Sequence, residues 1–416
     1  MPGQTIAEKI FSAHSNRTVW AGDSVISKID LAMATDGSGP LTLEFFQKMG
    51  GANVFDPSKV LMVLDHYVPC PNDKVARLQD GMRNFHKKGC CTLFEIGDGI
   101  CHQLLPEKGY VRPGYLIVGG DSHSTTYGAF NAIGTGIGSS DLAAAMISGK
   151  LWFRVPQSFK IELRGRLRKG ITAKDLTLHL VGKLGAGGAI YKALEFAGAG
   201  LSGLSISERM TICNMMVETG AKCALMPGDE TTAAFFGGEP VQFANADSDA
   251  VYERQLEVDL DELPPMVALP HQVDQVAPIT QVIGTPIHMG VIGTCTNGRI
   301  DDFCQALAVM GDNLIAPGFE LLIVPASRQI YQQAAKEGLL SDFVAKGATI
   351  LPPGCGPCCG SSPGIPSDGE NIFSTANRNF IGRMGNVRSS IYLGSPVSVA
   401  AAAVTGKITD PREILQ

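Results

Sequence analysis

The sequence predicts an α/β protein built from three-layer α/β/α domains. Short apolar runs rich in Val, Ile and Leu occupy residues 60–64, 115–118, 289–292, 321–324 and 348–351. They read as strands buried on both faces, the habit of parallel sheets. Helical patterns lie between them, as at residues 140–148, 301–310 and 329–337, and strand–helix alternation implies layered α/β units. The punctuation agrees: 49 Gly and 24 Pro gather between the apolar runs, where tight strand-to-helix turns need them.

A chain of 416 residues is expected to divide into two or three domains. The spaced basic residues of 164–169 and the acidic, Pro-rich loops of 225–275 mark a middle unit. The expected domains are 1–156, 157–275 and 276–416. With 44% hydrophobic and 18% charged residues, the chain has the material for a substantial core. A net charge of −6 lacks the broad positive field of a nonspecific nucleic-acid binder, so no nucleic-acid partner is expected. No run approaches the ~20 apolar residues of a spanning helix, so no membrane partner is expected either. Glu8 and Lys9 fall where a signal peptide would carry its apolar stretch. The chain is therefore read as cytoplasmic, and its eleven cysteines need an explanation other than disulfides.

Four polar or thiol clusters stand at the carboxyl ends of expected strands. Asp65-His66 follows residues 60–64. Asp121-Ser122-His123 follows 115–118 after two glycines. Cys295-Thr296-Asn297 follows 289–292, and Cys355 follows 348–351 through Pro-Pro-Gly. Open α/β sheets bind ligands at this edge, so the four clusters are expected to converge on one site.

Cys355-Gly-Pro-Cys358-Cys359-Gly is a C-x-x-C pair in a Gly/Pro loop, and Cys295 lies sixty residues upstream. Three cysteines suit three irons of a [4Fe–4S] cluster, leaving the fourth iron open as a Lewis acid. Zinc is the rival. A structural zinc needs four ligands, with Cys359 as the candidate fourth. Adjacent residues point their side chains apart, which counts against Cys358 and Cys359 sharing one ion. Cys70, Cys90, Cys91, Cys101, Cys213, Cys223 and Cys304 lack such spacing, and most are expected to be packing residues.

The acid–base candidates are Asp65-His66 and Asp121-Ser122-His123, carboxylates and imidazoles at shared strand ends, with His102 in Gly-Ile-Cys-His-Gln as a third histidine. Arg378 and Arg383, in Asn377-Arg-Asn-Phe-Ile-Gly-Arg383, offer planar forks for carboxylates. Asn214 and Glu218, four apart on an expected helix over residues 207–219, share a face. A base, an acid, carboxylate-binding cations and an open iron are the parts needed to remove water from a hydroxy acid.

These motifs resemble the aconitase superfamily along nearly the whole chain, most closely the large subunits of its two-chain 3-isopropylmalate dehydratase and homoaconitase group. The resemblance rests on Asp65-His66, Gly99-Ile-Cys-His102-Gln, Gly120-Asp-Ser-His123, Glu195-Phe-Ala-Gly, Met210-Thr-Ile-Cys-Asn-Met, Gly293-Thr-Cys-Thr-Asn-Gly-Arg299, Gly354-Cys-Gly-Pro-Cys358 and Asn377-Arg-Asn-Phe-Ile-Gly-Arg383. It implies three α/β domains around a [4Fe–4S] cluster held by Cys295, Cys355 and Cys358. It implies catalytic carboxylate–histidine pairs from Asp65, His66, His102, Asp121, His123 and Glu218. It implies substrate or cluster contacts from Ser122, Asn214, Asn377, Arg378 and Arg383. A fourth, swivelling domain, which brings the proton-abstracting serine and further arginines, is expected on a separate small subunit, in a heterodimer or heterotetramer. The implied reaction dehydrates and rehydrates a small hydroxy-di- or tricarboxylic acid. The leading substrate is isopropylmalate, in leucine biosynthesis. Homoaconitate, citraconate (methylmalate) and dimethylmalate are alternatives, and regulatory RNA binding is the alternative of another class. Cys359 departs from the family pattern, where an aliphatic residue is common.

Overall fold

The computed structural model describes residues 3–415. Three parallel or mostly parallel sheets follow one another along the chain. The first contains β2 (Leu31–Thr35), β3 (Val60–Val63), β4 (Thr92–Phe94), β5 (Leu116–Gly119) and β6 (Ile133–Gly136), in the order β4-β3-β2-β5-β6, all parallel. A two-stranded antiparallel ribbon, β1 (Ser24–Lys28) with β7 (Lys150–Arg154), stands beside it. The second sheet holds β8 (Ser158–Arg164), β9 (Ala193–Ala197), β10 (Cys223–Leu225) and β11 (Arg254–Asp259), again parallel. The third comprises β12 (Met266–Ala268), β13 (Val276–Pro278), β14 (Met289–Gly293), β15 (Glu320–Val324), β16 (Thr349–Ile350), β17 (Asn371–Ser374) and β18 (Ser390–Leu393). Its order is β13-β12-β18-β17-β14-β15-β16, parallel except where β12 meets its two neighbours.

The five strands expected from the apolar runs are all present, within a residue or so at each end. Strand β16 is the shortest, because Pro352 and Pro353 follow and cannot extend the ladder. Strands β2, β3, β5, β14 and β15 are buried along nearly their whole length, as strands covered on both faces must be. The helices Ser139–Ser148, Ile300–Met310 and Arg328–Lys336 match the helical patterns. Among the described residues no helix is long and apolar enough to cross a membrane.

Strand order positions the site. In the first sheet the chain runs β2, β3, β4 to one side and then β5, β6 to the other. In the third it runs β14, β15, β16 to one side and β17, β18 to the other. Each sheet thus has a switch point, between β2 and β5 and between β14 and β17, where neighbouring loops part and leave a crevice. The 3-10 segment Ser122–Phe130 leaves β5 and packs on the helix Ile206–Met215 and on β10, joining the first sheet to the second.

That junction has no spare room. A Cβ added at Gly128 would lie 1.5 Å from the backbone oxygen of Ala224. Gly128→Ala is expected to destabilise the chain by about 1–3 kcal/mol through overpacking, measured by urea unfolding.

Candidate active site

The residues after β2, β3 and β5 form one wall of the site. Asp36, directly after β2, is buried. Its Oδ1 accepts the backbone N–H groups of Asp65 (3.2 Å) and His66 (2.8 Å). Its Oδ2 accepts those of Tyr67 (3.2 Å) and the Gln79 side chain (2.9 Å). The chain leaving β3 has no ladder partner for these donors, so one carboxylate supplies it. Asp65 bonds the His66 ring through Oδ1 (2.7 Å) and accepts the Cys101 N–H on Oδ2 (2.8 Å). After β5, the Asp121 side chain caps the 3-10 segment by accepting the His123 N–H at 2.8 Å.

Asp121 gathers all three histidines. Its Oδ1 meets His102 Nε2 at 2.7 Å and lies 3.6 Å from His123 Nδ1, and its Oδ2 stands 3.3 Å from His66 Nε2. His123 Nε2 continues to Glu218 Oε1 at 2.9 Å, and Arg378 Nε reaches that same oxygen at 2.8 Å. Arg378 also donates to Ser122 Oγ at 3.0 Å. Burial opposes charge throughout this relay, but the opposite charges prevail. At His66 burial works against the imidazolium, yet Asp65 and Asp121 on either side raise it well above the usual histidine value. His123 is likewise raised against burial by Asp121 and Glu218. Against burial, the histidines hold Asp121 well below the usual carboxylate range, and His123 with Arg378 lowers Glu218.

The opposite wall carries the cysteines. Strand β14 runs into Gly293 at φ +144°, where a Cβ would lie 2.2 Å from Val324 O, and then Thr294 at φ +67°. A β-branched residue in the left-handed region stores strain, which is commonest at functional sites. The distortion starts the single turn Thr294–Asn297, which carries Cys295. Arg299, itself buried, clamps the turn by donating to Cys295 O (2.8 Å) and Thr296 O (2.7 Å). Cys355 donates its N–H to Asp65 O at 2.8 Å, tying the two walls together, and Cys358 sits on the following turn Gly356–Cys359. Asn377, after β17, donates to Cys295 Sγ at 3.3 Å and to Asn214 Oδ1 at 3.1 Å. Arg383 donates to Cys358 Sγ at 3.4 Å. The Cys355 hydrogen bond and the Arg383 charge hold the Cys358 thiol well below the usual value.

A cavity of about 290 Å³ lies between the walls. His66, His102, Asp121, Ser122, His123, Arg378 and Arg383 line it, together with Cys295, Cys355 and Cys358. Of the remaining expected residues, Asp65, Asn214 and Glu218 stand behind the lining, and Asn377 faces the cavity. The three thiols are free, each 2–3% exposed. Thiolates around a single zinc would stand about 3.8 Å apart. Among the described residues only two groups bring three ligand atoms within 4.8 Å of one another, His102–Asp121–His123 and Asp36–Asp65–His66, and neither contains a cysteine. The thiol donor set therefore fits a polynuclear centre better than one ion. Cys359 also reaches the cavity; its thiol lies 3.7 Å from the His66 carbonyl and also interacts with Cys355.

Two details differ from the sequence reading. The expected helix over 207–219 ends as an α-helix at Met215, and Met216–Thr219 tightens into a 3-10 turn closed by Gly220 at φ +84°. Tightening satisfies terminal carbonyls, helped by the Thr219 hydroxyl on Met216 O at 2.7 Å. Of the cysteines expected to pack, Cys91, Cys101, Cys213 and Cys223 are buried, whereas Cys304 is exposed. Sequence reasoning missed Asp36, although an Asp at a strand's carboxyl end was the signal used for Asp65 and Asp121. It also assigned no role to Arg299.

Residues 8–406 match the aconitase family (aconitate hydratase). The chain is 46% identical to the 3-isopropylmalate dehydratase large subunit of Elusimicrobium minutum, over 99% of this chain and all of that protein. It is 46% identical to the 3-isopropylmalate dehydratase large subunit 1 of Thermotoga maritima and 44% identical to that of Methanopyrus kandleri, with the same coverage.

Asp36→Asn removes a charged acceptor worth about 1.5–3 kcal/mol. Amide exchange at Asp65, His66 and Tyr67 is expected to quicken about tenfold or more, while β2 and β3 keep their protection; mass spectrometry of exchanged peptides reads this. The relay also sets a pH dependence. His66 and His123 are raised above 6.5, so their contribution is complete below that value and is lost as pH rises through the raised values. Asp121 and Glu218 are lowered from 3.8 and 4.5, so theirs is present above those values and is lost as pH falls through the lowered ones. Stability is expected to decline on the alkaline side, and Glu218→Gln to flatten that decline, in urea unfolding at stepped pH.

Proposed function

Because this chain belongs to the aconitase family, we propose that it is the large subunit of a hydro-lyase that interconverts 2- and 3-isopropylmalate by removing and returning water. Cys295, Cys355 and Cys358 would hold a [4Fe–4S] cluster. The observation that carries the reading is one cavity shared by three buried thiols, too spread for a single ion, and a relay of three imidazoles and three carboxylates.

When bound, the cluster supplies a Lewis-acidic iron that makes a hydroxyl a better leaving group. The chain's own residues do the remaining work on this side. Departure of hydroxide as water needs a proton, and the site holds histidines that stay protonated because Asp65, Asp121 and Glu218 hold them so. Return of water to the alkene acid runs the transfer backwards, with the imidazole taking the proton. Arg378 keeps its Nε on Glu218 and one terminal nitrogen on Ser122, leaving its other terminal nitrogen for a substrate carboxylate. Arg383 faces the cavity with a buried Nε that has no partner in the protein. It is the second carboxylate-binding guanidinium. Ser122, Asn214 and Asn377 fix these groups rather than react.

Dehydration also takes a proton from carbon, and the base for that step is assigned to a partner. The relatives named "large subunit" support a separate small subunit, placed over the cavity mouth.

Co-expression with such a small subunit, followed by anaerobic reconstitution with iron and sulfide, tests the function. Alkene-acid absorbance is expected to rise when 3-isopropylmalate is added; no rise with a fully loaded pair contradicts the proposal. Cys295→Ser is expected to abolish the visible cluster absorption and Cys359→Ser to retain most of it. Equal loss in both would refute the ligand set.

A further inference from the structure

Lys174 belongs to the helix Ala173–Leu184 and is fully buried, at 0% exposure. Its ammonium spends all three hydrogens inside the protein. Nζ donates to Thr375 O at 2.6 Å, to Ala376 O at 2.8 Å and to Met215 Sδ at 3.1 Å. Among the described residues, no carboxylate oxygen lies within 4.0 Å of it; the ion pairs of the chain lie elsewhere. Neutral carbonyls and a thioether offset only part of the loss of water around a buried charge. Burial pulls the amine down to about 7; the charges of Cys295 and Cys358 push it back up most, and those of Asp302 and Asp175, both beyond ion-pair distance, add to them.

Each partner of Lys174 borders a residue of the cavity. Met215 follows Asn214. Thr375 and Ala376 precede Asn377 and Arg378, and Asn377 bonds both Asn214 and Cys295 Sγ. Thr375 O also receives the Thr296 hydroxyl at 2.6 Å, and the Thr375 hydroxyl receives the Gly293 N–H at 3.0 Å. One ammonium thus pins the helix of Asn214 to the turn of Asn377, which is itself tied to the cysteine turn.

We propose that Lys174 is the buried counter-charge of the cluster-binding thiolates and the positioning residue of the Asn377–Arg378 turn. The inference rests on reading Cys295, Cys355 and Cys358 as cluster ligands. Three thiolates and their cluster carry net negative charge in a site shielded from water. A fixed positive charge behind them stabilises that state and makes an added electron easier to accept, since net charge and hydrogen bonding set cluster potentials. The same ammonium, by gathering two consecutive carbonyls, aims the next two side chains at the cavity.

Lys174→Gln keeps donors but loses the charge, and Lys174→Arg keeps the charge in another shape. Each full-length chain is reconstituted anaerobically and checked for folding by circular dichroism. The midpoint reduction potential is then measured by a titration followed by electron paramagnetic resonance, and cluster loss is timed against an iron chelator. Lys174→Gln is expected to have a more negative potential and faster loss, with Lys174→Arg near the wild type. A wild-type potential in Lys174→Gln overturns the proposal, as does an equal shift in both variants, which would mark shape rather than charge. If Lys174→Gln folds but holds no cluster while Lys174→Arg does, charge is again the cause; if neither folded variant loads, the proposal fails. A wild-type chain that takes up no iron and sulfide refutes the ligand reading instead, and the counter-charge with it.

Discussion

The structure concentrates carboxylates and thiols where water is scarce, and much of the site's architecture serves to give them partners. Asp36, Asp65, Asp121, Glu218 and three thiols lie within or just behind one cavity. Each has a partner of opposite character. Backbone N–H groups answer Asp36, imidazoles answer Asp65 and Asp121, and a histidine and an arginine answer Glu218. On the sulfur side the balance comes from Asn377, Arg383 and the buried Lys174. A buried carboxylate or thiolate left alone would be neutralised by a proton. Pairing lowers Asp121, Glu218 and Cys358 against burial, whereas burial still pushes the Cys295 thiol up to about 12.

Topology places the partners. Two sheets of different sequence but the same parallel strand order each split their crossovers at one point, and residues from both crevices line one cavity. Residues far apart in sequence therefore meet without long loops: Cys355 bonds Asp65, and Arg378 bonds Ser122. The middle sheet contributes no strand end to the cavity. It contributes the helix Ile206–Met215 and its tightened last turn, which deliver Asn214 and Glu218 from the side.

Much of this was legible in the sequence because the cues were local. Apolar runs ending in Asp-His, Asp-Ser-His or Cys-Thr-Asn encode both the strand and the chemistry at its tip. The convergence of those tips followed from a general property of parallel sheets rather than from any pairing visible in the chain. What stayed hidden depends on contacts across long separations. Lys174 looks like a surface lysine in the sequence, and only the packing of its buried helix against Thr375 and Ala376 marks it out. Asp36 looks like a turn residue until the N–H groups of residues 65–67 are seen to point at it. The contact of the Cys359 thiol with the His66 carbonyl also joins residues far apart in sequence, and spacing alone does not show it.

The central claim is that three thiols hold a cluster with one iron left open toward the imidazole–carboxylate relay. Mössbauer spectroscopy of the chain reconstituted with ⁵⁷Fe tests it most directly. The account predicts one iron environment distinct from three others, and it predicts that this one alone changes when a hydroxy-diacid substrate is added. Four equivalent irons indifferent to substrate, or a mononuclear signal, would contradict it.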